Sequence, residues 1–496
     1  MLYGYSYLAS QIGRTAFPPR RQAENSPRVK TRVESDGRIL FPASAYPDSE
    51  DPLMHILFAL RHEGVNLQIL SRAVPELAES QVRAAVCAKP NSVPVRKLAF
   101  LWEFFTGRTI DGVQVSGRYA PLFEPDLYVT APGSRNPKWR IEFNGLGSMA
   151  WCATVEKTEK IRKAISADIL QAAAKALDGV PGRTLDRALG WAFLNETKGS
   201  FELEREPVSG DKSKRFVHLL RHAHESQVLS ADYLCDLQHE IVANPFLHAF
   251  SYRTTQNWLG GGTGSAADVA YVPPPPECLD QLMQGWLQAA NTLASGVHPV
   301  IAASVVSFGF VYLHPFMDGN GRLSRFLIHQ QIQRSGGLAS GRLLPVSIAM
   351  RRNEERYLAA LSLFSAPARR AWDVVFTGGT PAFEFSFPAG SDGMYRYWDA
   401  TGQTEFLFDM FDEALNVDLK NEIRFIGRFD LLDRAVNEMF DLELGDRQTM
   451  VAAWLNAGSL SKNFRKKFRY RIPEQAMDWL EQNAAGILEE GGSPAD

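Results

Sequence analysis

Apolar residues recur at helical spacing through most of this 496-residue chain. The pattern is clear in four segments of the N-terminal part, residues 54–60, 65–74, 79–88 and 95–105. A period of 3.6 residues is typical of helices with one buried face. Strand-like alternation is rare, and residues 118–144 are predicted to be an irregular connector with one or two short strands. The pattern predicts a mainly α protein.

The most apolar segment, residues 300–313, runs directly into the sequence HPFMDGNGRLSR at residues 314–325. The apolar segment is shorter than the ~18 residues of a membrane span, so it predicts a buried helix. Helical spacing resumes at Leu323 and Phe326. Gly319 and Gly321 give the backbone the freedom that a tight turn between the two helices needs.

This turn carries groups that suit an anion. Backbone N–H groups of Gly319, Asn320 and Gly321 at the start of a helix would form an anion-binding nest, reinforced by the helix dipole. Arg322 and Arg325 are three residues apart. Both guanidinium groups can therefore project from one helix face toward the same anion.

Two further residues add chemistry to the anion site. Asp318 is a hard oxygen ligand beside a phosphate site, where Mg²⁺ is commonly shared between protein and nucleotide. His314, one turn before the nest, could remove a proton from an attacking hydroxyl. A base, a metal ligand, an anion nest and paired arginines together indicate phosphoryl or nucleotidyl transfer.

The stretch resembles the signature of the Fic family, His-x-Phe-x-Asp/Glu-Gly-Asn-Gly-Arg-x-x-Arg, with every specified position present. The resemblance implies an all-helical, Fic-type bundle core and transfer of AMP from ATP to a protein hydroxyl, with Mg²⁺ as cofactor. It covers roughly residues 185–370. The roles it implies are the base for His314, a core anchor for Phe316, the Mg²⁺ ligand for Asp318, the nest for Gly319 and Gly321, a phosphate contact for Asn320, polyphosphate binding for Arg322 and γ-phosphate binding for Arg325.

Two other interpretations of the motif are weaker. An EF-hand calcium loop that starts at Asp318 would need an oxygen ligand at its fifth position and Glu at its twelfth, where this chain has Arg322 and His329. A buried structural histidine is the simpler interpretation of His314 alone. The other motif residues at fixed offsets favour a catalytic role.

A second Fic-like element precedes the core. Many Fic proteins carry an inhibitory helix with the pattern Ser/Thr-x-x-x-Glu-Gly/Asn, whose glutamate pairs with the second motif arginine. Ser200 and Glu204 resemble this pattern, although Arg205 stands where Gly or Asn is expected. A carboxylate on Arg325 would compete with the γ-phosphate. The alternative is an ordinary solvated acidic helix face.

Residues 256–272 are expected to form a β-hairpin, with arms at 256–259 and 269–272, a glycine turn between them and four prolines after it. No Lys-Ser/Thr follows the glycines, so a phosphate-binding P-loop is excluded. The hairpin resembles the Fic flap, which clamps an extended segment of the target protein by strand addition. The resemblance assigns this role to Gln256, Asn257, Trp258 and Leu259. A plain surface loop is the alternative.

Three further features have structural interpretations that we favour. His218 and His222 stand at i, i+4, but no third metal ligand accompanies them. Tyr357 lies where Fic folds often place an aromatic residue near the adenine, and a core position is the simpler interpretation. The basic, aromatic segment 459–471 could contact DNA, whereas a basic helix face at a domain interface is the better interpretation.

We predict three regions: a mostly helical N-terminal region at residues 1–145, the Fic core at 146–376, and a C-terminal helical domain at 377–496, with a winged-helix-like form as one interpretation. Prolines make residues 1–50 a loosely structured lead-in. The Gly/Pro/Ser-rich residues 377–392 are expected to be a linker.

Composition limits the classes of partner and the cellular compartment that we expect for this protein. A formal charge of −3 and a 22% charged fraction are those of a globular protein and argue against nucleic-acid or membrane-surface binding by the whole chain. Four scattered cysteines are expected to be reduced thiols, and no Sec-type signal is evident, so we expect a cytoplasmic protein without membrane contact. The expected partner is a target protein with a hydroxyl side chain, and a homodimer is left open.

The leading hypothesis is therefore a protein adenylyltransferase, autoinhibited by the segment around Glu204. Within the enzyme class, the alternative is a Fic-type transferase that uses another nucleotide donor or removes AMP. Outside it, the alternative is a regulator that binds nucleotide or DNA without turnover. Neither the target nor the base of the donor nucleotide can be predicted from these residues.

Overall fold

The structure of the protein is a computed structural model that describes residues 2–26, 33–35, 38–42, 47, 50–207, 210–223, 228–242, 244–261, 265–379 and 382–490. The chain divides into two units, each built from three separate segments. The first unit comprises residues 1–166, 223–336 and 354–408, and the second comprises 167–222, 337–353 and 409–496. Most elements are helices, which confirms the predicted mainly α class.

The N-terminal part of the first unit is helical and carries one small sheet. Its elements are α1 Gly4–Ile12, β1 Gln22–Asn25, β2 Val33–Ser35, β3 Arg38–Phe41, α2 Pro52–His62, α3 Leu67–Ala73, α4 Glu79–Ala88 and α5 Val93–Thr106. The sheet order is β1-β3-β2. The described residues of the segment 1–50 are thus more regular than the predicted lead-in, because α1 buries Tyr5 and Leu8 in the core that α2–α5 form.

The predicted connector contains more strands than expected. Its strands are β4 Ala120–Pro121, β5 Ser134–Asn136 and β6 Ile141–Phe143, in the order β4-β6-β5, followed by β7 Leu146–Ser148 and β8 Trp151–Thr154. Trp151 is fully buried. Its ring packs against Gly309, and its backbone and Cβ pack against Gly285, where an added Cβ would lie 2.6 Å from the Trp151 Cβ.

The middle of the chain returns to helix. The elements are α6 Glu159–Ala167, α7 Ile169–Asp178, α8 Gly182–Leu203, α9 Gly210–His222 and α10 Ala231–Ile241. Helices α7–α9 belong to the second unit. Gly199 lets α8 approach another backbone closely, since a Cβ there would lie 2.6 Å from Ile348 N. Helix α8 continues through the predicted inhibitory segment to Leu203.

A short hairpin and the central helices follow. The hairpin strands are β9 Leu259–Gly260 and β10 Val269–Tyr271. The helices are α11 Pro276–Thr292, α12 Pro299–Leu313, α13 Asn320–Arg334, α14 Val346–Arg352 and α15 Glu354–Ala371. Helix α12 matches the predicted buried helix and is apolar all round, as expected for the centre of a bundle. It packs closely against Trp151, because a Cβ on Gly309 would lie 2.7 Å from the indole ring.

The C-terminal part does not begin with a linker. Its elements are β11 Asp373–Phe376, β12 Phe383–Ser386, α16 Gly393–Arg396, β13 Tyr397–Asp399, α17 Thr401–Glu413, a π-helical turn at Ala414–Leu419, α18 Lys420–Met439, α19 Leu444–Ala457, α20 Lys462–Phe468 and α21 Glu474–Glu490. Residues predicted as linker form the hairpin arm β12, whose Phe383 packs against Trp258. Strand β13 pairs in parallel with β8, which joins residues 397–399 to the first unit.

The described C-terminal residues 401–490 contain helices only, so they lack the strand pair of a winged helix. Helices α18, α19 and α21 share one apolar core that includes Val436, Met450 and Leu480. Across the described residues, no helix is long and apolar enough to cross a membrane.

Candidate active site

The motif forms the predicted helix, turn and helix. Helix α12 ends at Leu313, and His314 follows in the left-handed conformation with φ 49° and ψ 58°. Gly319, with φ 89°, then caps the N-terminus of α13. Gly321, which we expected to share the positive φ, lies inside α13 instead. The chain therefore reverses between two left-handed residues, one of which is the predicted base.

The hydrogen bonds of His314 define its tautomer. Its Nδ1 lies 3.1 Å from Val311 O, one turn back in α12. A carbonyl oxygen only accepts, so Nδ1 carries the proton in the neutral ring and the lone pair lies on Nε2. The side chain is largely buried, with 7% of its surface exposed. This arrangement suits a general base that acts through Nε2.

The turn is braced through Phe316, which is fully buried as predicted. Asn320 Oδ1 accepts from Phe316 N at 3.0 Å, and Asn320 Nδ2 donates to Phe316 O at 2.7 Å. Asn257 Nδ2 donates to the same carbonyl at 3.2 Å. The side chain of Asn320 thus holds the turn, which leaves its backbone N–H as the group for the predicted phosphate contact.

Arg253 was not predicted to belong to the site. Its backbone N–H donates to Pro315 O at 2.8 Å, and its Nε donates to His314 O at 2.9 Å. Its Nη1 and Nη2 donate to Thr255 O and Pro274 O, at 3.1 and 2.6 Å. Burial lowers the pKa of Arg253 to about 10, a value at which it stays charged at neutral pH. One side chain thus ties the motif to both sides of the hairpin.

Asp318 and Arg322 form an ion pair within the motif. Asp318 Oδ1 accepts from Gly319 N at 2.6 Å and from Arg322 Nη2 at 3.0 Å. Arg322 Nη1 donates to Ile241 O at 3.2 Å, and only 2% of the arginine is exposed. Gln238, also missed by sequence reasoning, donates to Asp318 O at 3.3 Å. Gln238 of α10 thus holds the backbone of Asp318, and Arg322 of α13 holds its carboxylate.

The N-terminus of α13 offers backbone donors to an anion. Leu323 N donates to Gly319 O at 2.9 Å, which is the first bond of the helix. Among the described residues, the N–H groups of Asn320 and Gly321 have no hydrogen-bond acceptor. Arg325 follows one turn later and is 1% exposed. Gly319 N–H is already taken by Asp318, so the predicted nest is reduced to the two following groups.

The Asp318 carboxylate meets one requirement for Mg²⁺. No described residue donates to its Oδ2, and about a third of the side chain, 36%, is exposed. Mg²⁺ binds through one or two carboxylates when a substrate supplies phosphate oxygens. A single carboxylate with an open oxygen beside the α13 N-terminus fits that pattern. The described residues contain no cluster of three or more His, Cys, Asp or Glu that could hold a metal by themselves.

The predicted hairpin is present. Val269 and Tyr271 of β10 pair with Gly260 and Leu259 of β9 in antiparallel register. The first arm is shorter than predicted, and residues 262–264 of the glycine turn lie outside the described residues. Arg369 Nε donates to Val269 O at 2.8 Å.

The four predicted clamp residues differ in position. Gln256 Nε2 donates to Pro273 O at 3.0 Å and Trp258 packs on Phe383, so both are held by the protein itself. Asn257 is bound to the motif turn, as described above. Leu259 is 42% exposed. Of the four, Leu259 is the side chain that lies open to a partner, and the clamping role stays a prediction.

The predicted inhibitory residues lie in the second unit. Ser200 is fully buried in α8, and Glu204 is exposed at the helix C-terminus. A different glutamate of this helix is buried: Glu196 Oε2 accepts from Ser347 N at 2.7 Å, and its Oε1 accepts from the Ser347 hydroxyl. The pairing of Glu204 with Arg325 stays a prediction.

The remaining candidates have structural roles. His222 Nδ1 bonds His218 O within α9, a local contact. Tyr357 is 8% exposed and packs among Phe308 and Phe406, as the core interpretation predicted. In the basic segment, Arg465 pairs with Asp478 at 2.6 Å and Arg471 with Asp446 at 2.6 Å, which matches a helix face within the second unit.

Comparison with known proteins shows which family the segment around this site is similar to. Residues 228–332 match the model of the Fic/DOC family. The chain is 29% identical over 169 residues to protein adenylyltransferase Fic of Nematostella vectensis, a match that covers 32% of this chain and 36% of that protein. It is 38% identical over 88 residues to protein adenylyltransferase Fic of Culex quinquefasciatus, over 17% of this chain and 15% of that protein.

The chain thus spans about a third or less of the length of the curated relatives it matches. Among solved structures, a Fic family protein from Desulfovibrio desulfuricans G20 is similar at 17% identity and a TM-score of 0.40, over 66% of this chain and 93% of that chain. The family model covers α10 to α13, which include every residue of the motif. Residues 228–332 therefore match the Fic/DOC family, and this matched segment contains the whole motif.

Proposed function

We propose that the protein transfers AMP from ATP to the hydroxyl group of a tyrosine, threonine or serine side chain on a target protein. The observation that carries this proposal is the arrangement of the motif. The lone pair of His314 lies on Nε2, and the open N–H groups of Asn320 and Gly321 begin the next helix. Relatives named protein adenylyltransferase support the choice of AMP as the transferred group.

In the proposed reaction, His314 Nε2 takes the proton of the target hydroxyl while its oxygen attacks the α-phosphorus of ATP. The new bond joins that oxygen to phosphorus, the bond to the bridging oxygen of the β-phosphate breaks, and pyrophosphate leaves with the electron pair. The N–H groups of Asn320 and Gly321 and the charge of Arg322 stabilise the phosphate oxygens. Arg325 is assigned to the γ-phosphate.

Asp318 would hold Mg²⁺ through its open Oδ2, with ATP oxygens as the other ligands. When bound, the ion neutralises charge on the polyphosphate. Arg322 keeps the carboxylate in place through Oδ1 at 3.0 Å. The same pair would also position the guanidinium group beside the nucleotide.

We assign target binding to β9. Arg369 of α15 bonds Val269 O and Ala266 O, so the β10 side of the hairpin is held by the protein. An extended target segment could add to the β9 edge through main-chain hydrogen bonds, with Leu259 contributing apolar contact. Such binding demands little of the target sequence around the hydroxyl.

Glu204 is proposed to inhibit the reaction. The support is the resemblance of Ser200 and Glu204 to the inhibitory pattern, on a helix that does extend to Leu203. A carboxylate on Arg325 would take the guanidinium group that the γ-phosphate needs. Arg205 departs from the inhibitory pattern. The role of Glu204 is therefore tested directly, by removal of its side chain.

The test incubates the wild type, Glu204→Gly and His314→Ala with Mg²⁺ and ATP labelled on either the α- or the γ-phosphorus. AMP transfer labels protein from α-labelled ATP alone, whereas phosphate transfer labels it from γ-labelled ATP. We expect strong α-label with Glu204→Gly, weak label with the wild type and none with His314→Ala. His218→Ala, an exposed histidine on α9, is the matched control and should match the wild type.

Equal labelling by wild type and Glu204→Gly would retain the transferase and remove Glu204 as inhibitor. Labelling that survives His314→Ala would refute the base. If no form transfers label from ATP to itself or to a lysate, while labelled UTP does, the donor is a different nucleotide. Absence of transfer from any donor would refute the enzyme.

A further inference from the structure

The first unit contains a cavity of about 760 Å³ that no part of the proposed reaction uses. Its walls come from the segment after α1, the start of α3, strands β8 and β13, and helices α15 and α17. None of the motif residues 314–325 lines it. Its volume lies in the range of sites for small organic ligands, roughly 300–1,000 Å³.

Three polar groups on the cavity walls lack partners. Within the described part of the chain, Glu63 Oε2, Trp398 Nε1 and Gln403 Oε1 are buried without a hydrogen bond. These residues are 7%, 4% and 0% exposed, and all three line the cavity. A buried polar atom left unpaired destabilises a fold by about 1–3 kcal/mol. Gln403 Oε1 accepts and Trp398 Nε1 donates. Burial raises the pKa of Glu63 to about 8, and its Oε1 already accepts from Tyr5 N, so at neutral pH Oε2 carries the proton and also donates. A matching ligand therefore needs both a donor and an acceptor.

The charged groups around the cavity balance one another. Arg21 is paired with Glu156 at 2.6 Å, and Arg20 lies within 4.0 Å of Glu156, Asp399 and Glu405. Burial, followed by the charge of Asp399, raises the pKa of Glu156. Burial raises the pKa of Glu63 to about 8, so at neutral pH three other carboxylates face three guanidinium groups on the walls, and the balanced charge favours an uncharged ligand.

Aromatic rings form the apolar walls and connect them to the motif helix. Phe364 and Trp398 line the cavity, and both contact Tyr312 of α12, with ring centroids 4.2 and 5.2 Å away. Gln403 Nε2 donates to the Tyr312 hydroxyl at 3.0 Å. Tyr312 precedes His314 by two residues, so groups that touch a ligand also hold the end of the helix that carries the base.

We infer that this cavity binds a small, uncharged aromatic molecule with an amide-type edge, and that the bound molecule acts on the motif helix through Tyr312. An amide N–H would satisfy Gln403 Oε1, and the amide carbonyl would accept from Trp398 Nε1 or from the protonated Glu63 Oε2. A flat ring would pack against Phe364. The binding site stands on its own geometry, whereas the effect on catalysis rests on the proposed function.

The binding test compares two probes that share a ring, phenylacetamide and phenylacetate, on the full chain by titration calorimetry. The amide should bind at least about tenfold more tightly than the carboxylate. Ala366→Trp, which places a large side chain at an exposed wall position, should weaken amide binding about tenfold or more. Leu358→Trp, on the exposed side of the same helix and outside the cavity, is the matched control and should bind like the wild type.

A second variant guards against loss of folding. Gln403→Met keeps a side chain of similar length and removes the unpaired acceptor Oε1, so amide affinity should fall several-fold. Equal binding of both probes, or binding unaffected by both Ala366→Trp and Gln403→Met, would overturn the site and leave a cavity filled by water alone.

The activity test measures AMP transfer with and without saturating phenylacetamide. The transfer rate of the wild type should change at least about twofold, and that of Ala366→Trp should not change. Binding without any change in rate would overturn the action on α12 while the site remains. If the wild type transfers no AMP in any condition, the proposed function fails, and the calorimetry still decides the site.

Discussion

Arg253 offers the sharpest test of how the motif is held. Its side chain donates to His314 O, Thr255 O and Pro274 O, at 2.9, 3.1 and 2.6 Å. Arg253→Met retains most of the apolar stem and removes all three bonds. Because the three carbonyls belong to the motif turn and to both sides of the hairpin, we expect these segments to loosen together.

The size of the effect follows from two opposing terms. Burial lowers the pKa of Arg253 from 12.5 to about 10, so burying the charge costs about 3 kcal/mol at 1.4 kcal/mol per pKa unit. Three hydrogen bonds from a charged donor contribute about 1.5–3 kcal/mol each. The bonds outweigh the cost by about 1.5–6 kcal/mol, and from the middle of this range we expect their loss to lower the local free energy of opening by about 2–4 kcal/mol.

Hydrogen exchange read by mass spectrometry measures this opening locally. A loss of 2–4 kcal/mol corresponds to roughly 30- to 1,000-fold faster exchange in peptides that cover residues 310–323. Arginine is charged in folded and unfolded chains below pH 10, so the effect should be equal at about pH 6 and pH 9. Arg135→Met is the matched control, since Arg135 is exposed and lies 3.7 Å from Glu142.

Unchanged exchange in these peptides would refute the reasoning, since the three bonds would then contribute nothing to holding the turn. AMP transfer at the wild-type rate by a variant with fast exchange would separate the hydrogen bonds from the catalytic geometry. Arg253→Lys, which keeps the charge and at most part of the bonding, should fall between the wild type and Arg253→Met in both measurements.

Three other changes have predictable outcomes. Burial raises the pKa of Glu63 from 4.5 to about 8, so ionisation of this group opposes folding as the pH rises. Between about pH 5 and pH 8.5 the free energy of unfolding of the wild type should fall by about 3–5 kcal/mol relative to that of Glu63→Gln, as measured by chemical denaturation. Parallel pH curves for the two proteins would contradict this. Gly309→Val should destabilise the protein by about 1–3 kcal/mol, because the added Cβ would meet Trp151 at 2.7 Å, whereas Gly486→Ala, with no atom within 4 Å, should be neutral or stabilising. Asp318→Asn keeps the acceptor for Arg322 and removes charge, so AMP transfer should need about tenfold more Mg²⁺; an unchanged Mg²⁺ requirement would remove Asp318 as the ligand.

Local chemistry explains why the motif and its helices could be predicted. Residues 300–313 are apolar on every side, which only a buried helix satisfies, and Gly319 marks the reversal before α13. The hairpin followed from extended residues, glycines and prolines within a short stretch. In each case the deciding contacts lie within about a dozen residues.

The features that escaped prediction depend on distant contacts. Arg253 donates to backbone carbonyl groups, which every residue has, so the pattern of side chains does not indicate which residues it contacts. Residues 383–386 were taken for part of a linker because glycine and proline surround them, yet Phe383 has Trp258 to pack against. The division into two units was missed for the same reason, since β13 finds its partner far back in the chain.

The parallel pairing of β8 with β13 also constrains how the protein is made. The bond from Glu156 N to Thr401 Oγ1, beside this pairing, joins residues 245 positions apart. At a synthesis rate of roughly 5–20 residues per second, the earlier strand waits for about 12–50 seconds on the ribosome before its partner exists. During that time the edge of β8 and the neighbouring indole of Trp151 depend on β7 and on the helices made in between. The first unit thus closes only after residues 397–399 have been made, when residues 228–332 have already been synthesised, so a chain that stops before β13 leaves a sheet edge open to other proteins.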